Sequence, residues 1–549
     1  MPNPDGVAGA PLPPEAPAEP VIIDDTPADA DAAVAVDPPA PAAAPEQFIC
    51  AICDRSFPVT EIYDTGGSYT CRSCYAKRVA MQSGNGHPLP TVRPPEPIRT
   101  QISAGPAVTH AGLRTTLTCP HCWNRFAVED VLWVSEHADL LGDVVLGPEA
   151  AARFLPSRFT VEGNALDGRG QRCHALACPR CHLLIPRSLL ESDPLFISIV
   201  GVPACGKSYL LATMSWELRG LLPREFGISF SDADTLANRS LNEYEETLFL
   251  PSDPDRLVAI RKTELQGELY DQVRLGQQIV TLPRPFLFAL QLTDDHPGAA
   301  NHSAHGSAHG GGHGPGHRLI CLYDNAGEHF LPGMDQSNAP VTRHLERSRV
   351  LMFLYDPTQD SRFRERCRRF STDPQLDRQA RTQRQETVLT ETALRVRRLA
   401  NLSPGQKHHR PLLVVLPKSD VWGPLVDADL TTEPLLRHVV ASNAGPNRFS
   451  AVDVLRIEAT SDALRTMLLK YAPEVVAAAE DFCTHVVYLP ASALGRAPEV
   501  QAETGMLGVR PRDIRPRWVT VPVLYTLARW ATGWVAGNHY GSGDAPHVT

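Results

Sequence analysis

The sequence predicts an α/β fold, a three-layer sandwich with a mostly parallel sheet, preceded by two small cysteine-held modules and a disordered N-terminal tail. Three observations predict it. The stretch FISIVGVPACGKSYL (196–210) joins an apolar strand, a glycine loop and a segment with helical apolar spacing. Five further apolar, strand-like runs follow, and each leads into a polar motif or a turn. Upstream, eight of the thirteen cysteines fall in C-x-x-C pairs. Strands separated by long, partly helical segments are the pattern of a sheet covered by helices.

The chain as a whole bounds the reading. Its 549 residues allow three or four structural units at ~150 residues each. A hydrophobic fraction of 43% is enough for real cores. The net charge of −10 argues against bulk nucleic-acid binding. Part of that charge lies in the first 46 residues, which contain Asp and Glu but no Lys or Arg. No apolar run approaches the ~20 residues of a membrane span, and the N-terminus lacks the basic start and apolar block of a signal peptide. Paired cysteines favour metal ligation in a reducing cytoplasm over disulfides. A cytoplasmic protein is expected.

Residues 1–46 are Pro, Ala and acidic residues with too little apolar surface to fold, hence a disordered tail. In 47–80, Cys50 and Cys53 are followed after 17 residues by Cys71 and Cys74. Each pair suits a tight knuckle, and four thiolates complete a closed, structural Zn²⁺ site. So small a segment needs the metal to fold. Residues 81–112, rich in Pro, Gly and Ser, read as a linker. A second module is expected over 113–192, with Cys119, Cys122, Cys178 and Cys181 as the Zn²⁺ ligands and Cys173, His174 and His182 as rivals. The 55 residues between its pairs include LLGDVVLGPEAAARFLPSRF, a folded insertion. His121 and His137 read as ordinary polar or packed residues.

The main domain is expected over 193–540. Its motif GVPACGKS (201–208) is a full G-x-x-x-x-G-K-S phosphate loop. Gly201 and Gly206 let the backbone turn its N–H groups inward around Ala204 and Cys205. Lys207 reaches the β- and γ-phosphates, Ser208 holds Mg²⁺, and the helix opening at Tyr209 points its N-terminus at the same anion. PFLFALQL (285–292) and RLICLY (318–323) are expected as a hairpin around a Gly/His-rich insertion, 294–317, read as a flexible loop. RLICLY leads into Asp324, Gly327 and Glu328. An acidic residue there holds Mg²⁺ through water, and the glycine N–H faces a γ-phosphate. VLMFLYDP (350–357), PLLVVLPKSD (411–420) and HVVYLPASALG (485–495) supply three more strands. Their polar motifs follow the strand C-termini, where ligands bind in doubly wound sheets. Residues 361–410 carry thirteen Lys or Arg against five Asp or Glu, part of them an exposed helix over 386–399. WVTVPVLYTLARW (518–530) reads as a final helix against the sheet.

In order and spacing, GVPACGKS, DNAG with Glu328, PKSD and ASAL resemble the motifs of the Ras-like, translation-factor-related (TRAFAC) GTPases, over roughly residues 195–535. Within that class the chain is similar to the bacterial double-GTPase type of conflict and signalling systems. The resemblance implies GTP and Mg²⁺ as ligands. It implies that Asp420 accepts hydrogen bonds from guanine N1 and N2, that Lys418 lies along the ring, that Ser492 and Ala493 belong to the nucleotide site, and that the Ala493 backbone approaches O6. It implies a first-switch Thr on Mg²⁺, placed at Thr281 with Thr235 and Thr247 as alternatives, and a catalytic set of Lys207, Gly327 and Glu328. Two residues depart from the pattern. Pro417 replaces the usual Asn or Thr and puts guanine specificity in doubt. Glu328 replaces a water-positioning Gln, and its charge opposes an ionised γ-phosphate, so hydrolysis is expected to be slow. The expected function is a Mg-dependent guanine-nucleotide switch whose zinc modules or switch loops contact a protein partner rather than nucleic acid. A non-catalytic zinc-ribbon scaffold and an ATP-binding NTPase are the alternatives.

Overall fold

The structure, a computed structural model, describes residues 114–538 apart from 193, 262–268, 294–295, 297–316, 325–342, 378–383, 404, 441–447, 504 and 532. It also describes residues 47–50, 53, 55–58, 62–64, 69–71 and 73–74. The expected tail, linker and most of the Gly/His insertion lie outside the described residues. The chain divides into two compact units, 1–101 and 102–549.

In the first unit two antiparallel pairs join Gln47–Ile49 to Ser56–Pro58 and Ile62–Asp64 to Tyr69–Cys71. The turn between the first two strands is closed by a hydrogen bond from Cys50 N to Arg55 O at 3.0 Å. Strands of three residues bury too little to stand alone.

The second unit is built on a seven-stranded sheet. Its strands are β1 (Pro194–Gly201), β2 (Ile228–Asp232), β3 (Phe286–Leu292), β4 (His317–Asp324), β5 (Val350–Leu354), β6 (Leu412–Leu416) and β7 (Val486–Pro490), in the spatial order β2-β3-β4-β1-β5-β6-β7. The five strands from β4 to β7 in that order run parallel, and β3 is antiparallel to both its neighbours. Each apolar run taken from the sequence as a strand is one, and β3 and β4 do pair antiparallel. The edge strand β2 was not anticipated: ISFSD is short and half polar, and only its pairing with β3 makes it a strand.

Strand composition follows strand position. β5 and β6 are buried along their whole length, as expected of central strands covered on both faces. Toward the other edge the side chains alternate between two cores. Phe286, Phe288, Ile320 and Leu322 join the core that holds the helices. Leu287, Leu319, Cys321 and Tyr323 point the other way and pack with Leu117, Trp123 and Phe126 of the second cysteine module. That module therefore covers one face of β3 and β4.

The longer helices are α1 (Lys207–Leu221), α2 (Arg239–Phe249), α3 (Gln385–Leu399), α4 (Val454–Tyr471), α5 (Pro473–Phe482) and α6 (Val521–Trp530). Helix α6 buries Val521 to Leu527 without a break, consistent with a final helix in the core. Helix α3 corrects an expectation. Val388, Leu389, Thr392, Ala393 and Val396 form a buried stripe, and Arg395 and Arg397 pair with Glu391 and Asp481 at 2.9 Å each. The basic count of this segment hid an amphipathic helix whose charges are partly satisfied within the fold.

The second cysteine module carries a four-stranded sheet in the order Arg153–Phe154, Leu132–Val134, Leu176–Ala177, Leu184–Ile185. The expected insertion forms the hairpin Leu141–Asp143/Gly147–Ala151. A second hairpin, Tyr270–Leu275/Gln278–Pro283, packs Val273 and Leu282 into the same core. Among the described residues no helix is long and apolar enough to cross a membrane.

Candidate functional site

The loop after β1 is shaped by two glycines for two reasons. A Cβ on Gly201 would stand 2.9 Å from Cys205 Sγ and 3.1 Å from Leu354 O, so the neighbouring strand excludes a side chain. Gly206, with φ 97°, takes the left-handed conformation that opens α1. Ala204 is also left-handed, at φ 59°. Lys207, almost fully buried, donates from Nζ to Gly201 O at 3.0 Å and Val202 O at 3.1 Å. Its ammonium therefore lies across the mouth of the loop.

Asp324 ends β4, beside β1 in the parallel register. Ser208 Oγ donates to Asp324 Oδ2 at 3.3 Å. Burial pushes the Asp324 carboxyl up to about 6, against the opposing influence of Lys207 and the Ser208 hydrogen bond. Its Oδ1 is buried and has no hydrogen-bond partner among the described residues. A hydroxyl beside a carboxylate with an unused oxygen is a donor set that fits a hard cation such as Mg²⁺. Ser208 and Asp324 are the residues that would hold it. Gly327 and Glu328 lie outside the described residues.

A cavity of about 320 Å³ runs from this loop along the ends of β6 and β7. It brings together Ala204, Gly206, Lys207, Ser208 and Tyr209 with Lys418, Asp420, Ser492 and Ala493. Ser492 Oγ donates to Asp420 Oδ1, and burial raises the Asp420 carboxyl while that bond lowers it. Lys418, left-handed at φ 60°, turns its Nζ to Asp356 Oδ2 at 2.6 Å and Thr358 Oγ1 at 3.1 Å. The two strand-end loops are tied by Ser419 N donating to Ala491 O at 2.9 Å. Gly495 has no substitute: at φ 75°, a Cβ there would lie 2.0 Å from Arg515 O.

Thr281 sits elsewhere. It pairs with Gln272 in the second hairpin and is not among the residues lining the cavity. Of its alternatives, Thr247 donates to Glu243 O within α2 and Thr235 is exposed. The sequence reading missed the outer wall of the cavity: Ile260, Arg261, Gln375, Arg496 and Val509. Gln375 lies two residues after Asp373, whose carboxylate accepts the Gln375 N–H at 2.7 Å. Val509 arrives through a backbone bridge to Val258. Such pairings join residues some 250 positions apart and leave no local pattern to read.

Cys119, Cys122, Cys178 and Cys181 form one group of four buried thiols, and Cys50, Cys53, Cys71 and Cys74 form another in which Cys53 and Cys74 are half-buried. Opposed sulfurs lie 3.7 Å apart in the pairs Cys119–Cys181 and Cys122–Cys178, and 3.8 Å apart in Cys53–Cys71. A tetrahedron with metal–sulfur bonds of about 2.3 Å has edges of about 3.8 Å, so both groups fit Zn²⁺. The knuckles share one geometry. Cys119 N donates to Asn124 O and Cys178 N to Leu183 O, each at 3.0 Å, as Cys50 N does to Arg55 O. Trp123 and His182, each following the second cysteine of its pair, are both left-handed, at φ 55° and 58°. The rival ligands are engaged otherwise. His182 Nδ1 meets Asp143 Oδ2 at 2.7 Å, and Cys173 Sγ lies 3.7 Å from Gln171 O. His121 is buried with Nε2 at 3.0 Å from Leu184 O.

The second knuckle touches the strand that presents Asp324. Trp123 Nε1 donates to Tyr323 OH at 3.0 Å, and Tyr323 OH donates to Pro120 O at 2.5 Å. The Tyr323 ring stacks on His344 at 4.7 Å. His344 in turn meets Ser198 on β1 through Nδ1, at 2.5 Å.

No family model and no curated protein matches the chain. Among solved structures it is similar to Era in complex with MgGDPNP and nucleotides 1506–1542 of 16S ribosomal RNA, at 12% identity and a TM-score of 0.18, over 56% of this chain and 53% of that one. It is also similar to the signal recognition particle receptor SRb-GTP/SRX complex from Chaetomium thermophilum, at 13% identity and a TM-score of 0.19, over 56% of this chain and 96% of that one. The chain thus spans about half the length of the first of these.

Proposed function

We propose that residues 193–540 are a P-loop NTPase three-layer sandwich acting as a Mg-dependent guanine-nucleotide switch with slow hydrolysis, and that both cysteine groups hold structural zinc. The observation that carries this reading is the single cavity joining the 201–208 loop to Asp420 and Ser492. One end offers backbone N–H groups, the Lys207 ammonium and the α1 N-terminus to phosphates. The other offers a buried carboxylate to a base that donates two adjacent hydrogen bonds, as guanine does. Bound Mg²⁺ would supply charge to the β- and γ-phosphate oxygens. Asp420, freed from the Ser492 hydroxyl, would accept from the base, while Lys418 stays fixed by Asp356 and shapes the loop. The cysteine modules would present surfaces to a partner.

Calorimetric titration with non-hydrolysable GTP and ATP analogues in Mg²⁺ tests this. GTP-analogue binding is expected, weakened at least 100-fold in Lys207→Ala, with Asp420→Ala losing the preference over the ATP analogue. Equal binding of both analogues, untouched by Asp420→Ala, would leave a generic NTPase. No binding of either would leave a scaffold.

A further inference from the structure

Segments far apart in the sequence place six arginines around one cleft beside the second cysteine group. A groove of about 1080 Å³ is lined by Arg125, Arg153, Arg180 and Arg274. A smaller one of about 310 Å³ is lined by Arg125, Arg180, Arg343 and Arg347. The two share Asn124, Arg125 and Arg180, so they form one continuous surface. Asp130 is the one acidic residue lining either of them among the described residues.

Several arginines elsewhere in the fold are paired: Arg219 with Asp232 and Glu245, Arg362 with Asp360 and Glu474, Arg510 with Glu499. Arg125, Arg180, Arg274 and Arg343 are exposed, and none is within ion-pair reach of a described carboxylate. Of the other two, Arg347 pairs with Glu346 at 3.0 Å and Arg153 donates to His182 O at 3.2 Å. The four exposed, unpaired charges oppose one another, and packing does not account for those four. Two of the six are held by the knuckles themselves: Arg180 lies between Cys178 and Cys181, and Arg125 lies three residues after Cys122. Metal-held turns fix their backbones and present their guanidinium groups outward.

We propose that this cleft binds the phosphate backbone of a nucleic-acid strand. All six cations are arginine, whose fork of donors matches a phosphate better than the point charge of lysine. The groove also exposes Leu155 and part of Phe154, apolar surface of the kind on which bases and riboses rest. The chain-wide charge of −10 does not decide the matter, because charges more than ~10 Å away are largely screened at physiological salt. From the sequence a protein partner is expected rather than nucleic acid, whereas this density of positive charge arises only on folding.

The test is fluorescence anisotropy of a labelled 20-nucleotide single-stranded RNA with the full-length, zinc-loaded protein. Binding should weaken with salt with a log–log slope of roughly −3 for about four phosphate contacts. Arg125→Glu/Arg180→Glu should weaken it at least tenfold with zinc content unchanged. Arg274→Glu/Arg343→Glu, outside the knuckles, should do the same even if the first pair fails to fold. Arg366→Glu, on an exposed face of the helix 361–367, should leave binding unchanged. Absence of binding in low salt, an equal loss in Arg366→Glu, or displacement by polyglutamate at matched charge would overturn the proposal. The last result would mark a site for acidic polypeptide. The readout is independent of GTP, so its failure is distinct from failure of the nucleotide reading.

Discussion

The two cysteine groups have the same ligands, nearly the same sulfur spacing and the same knuckle bond, yet they sit in different surroundings. Cys50, Cys53, Cys71 and Cys74 are framed by strands of three residues. Cys119, Cys122, Cys178 and Cys181 are part of a core that continues through Trp123 and Phe126 into Tyr323, Leu319 and Leu287 of the main sheet. One cysteine group lies among short strands; the other closes a face of a much larger fold. The same four-cysteine arrangement thus serves two structural ends, and the difference lies in what the knuckle residues touch.

The strongest way to break this comparison is to remove ligands. Cys178→Ser/Cys181→Ser should drop the zinc content from two ions to one and destabilise the unit 102–549 by about 4 kcal/mol or more, part of the ~10–16 kcal/mol that a structural zinc supplies to a small module. Calorimetric melting with metal analysis would show it. An unchanged main transition would mean that the module merely rests on the sheet.

Acid sensitivity sharpens the comparison by giving the sheet a weakness of its own. Burial, helped by Arg410, pulls the His408 imidazole down to about 4. Between its ordinary value near 6.5 and about 4 the unfolded chain takes up a proton that the folded chain refuses. Stability is therefore lost as pH falls through that window, by about 3 kcal/mol at its lower end. His408→Gln should flatten that slope in denaturation curves from pH 7 to pH 4.5. A slope unchanged by the substitution would place the acid-labile group elsewhere.

A smaller effect tests the seam directly. Tyr323→Phe leaves Trp123 Nε1 and Pro120 O without their partner, at a cost of about 2 kcal/mol. A double-mutant cycle with Trp123→Phe should show a coupling above about 0.5 kcal/mol. Additive effects would mean that the hydrogen bond contributes nothing across the seam.

Much of the sheet was legible because its strands are continuous apolar runs. The phosphate-loop motif was legible because its residues are consecutive; its glycines are demanded by φ at Gly206 and, across the sheet, by Leu354 at Gly201. The metal groups were legible from pair spacing alone. Other features were not. β2 exists only through its ladder with β3, α3 hid its apolar stripe under a high arginine count, and Val509 reaches the cavity through a partner about 250 residues away. The arginine cleft belongs to the same class, since no window of the sequence holds more than two of its members. Thr281 shows the limit of placement by order: it precedes β3 by five residues yet belongs to a hairpin that serves the module's core.

Tyr323 and Asp324 are neighbours on one strand and so face opposite sides of the sheet. Tyr323 answers to the cysteine knuckle, and Asp324 answers to Ser208 and Lys207. The peptide unit between them joins a residue bonded to the knuckle at Trp123 to a residue bonded to the loop at Ser208. Coupling across it would be reciprocal by thermodynamic necessity. Whatever factor a nucleotide imposes on affinity at the cleft, an occupant of the cleft imposes on affinity for the nucleotide.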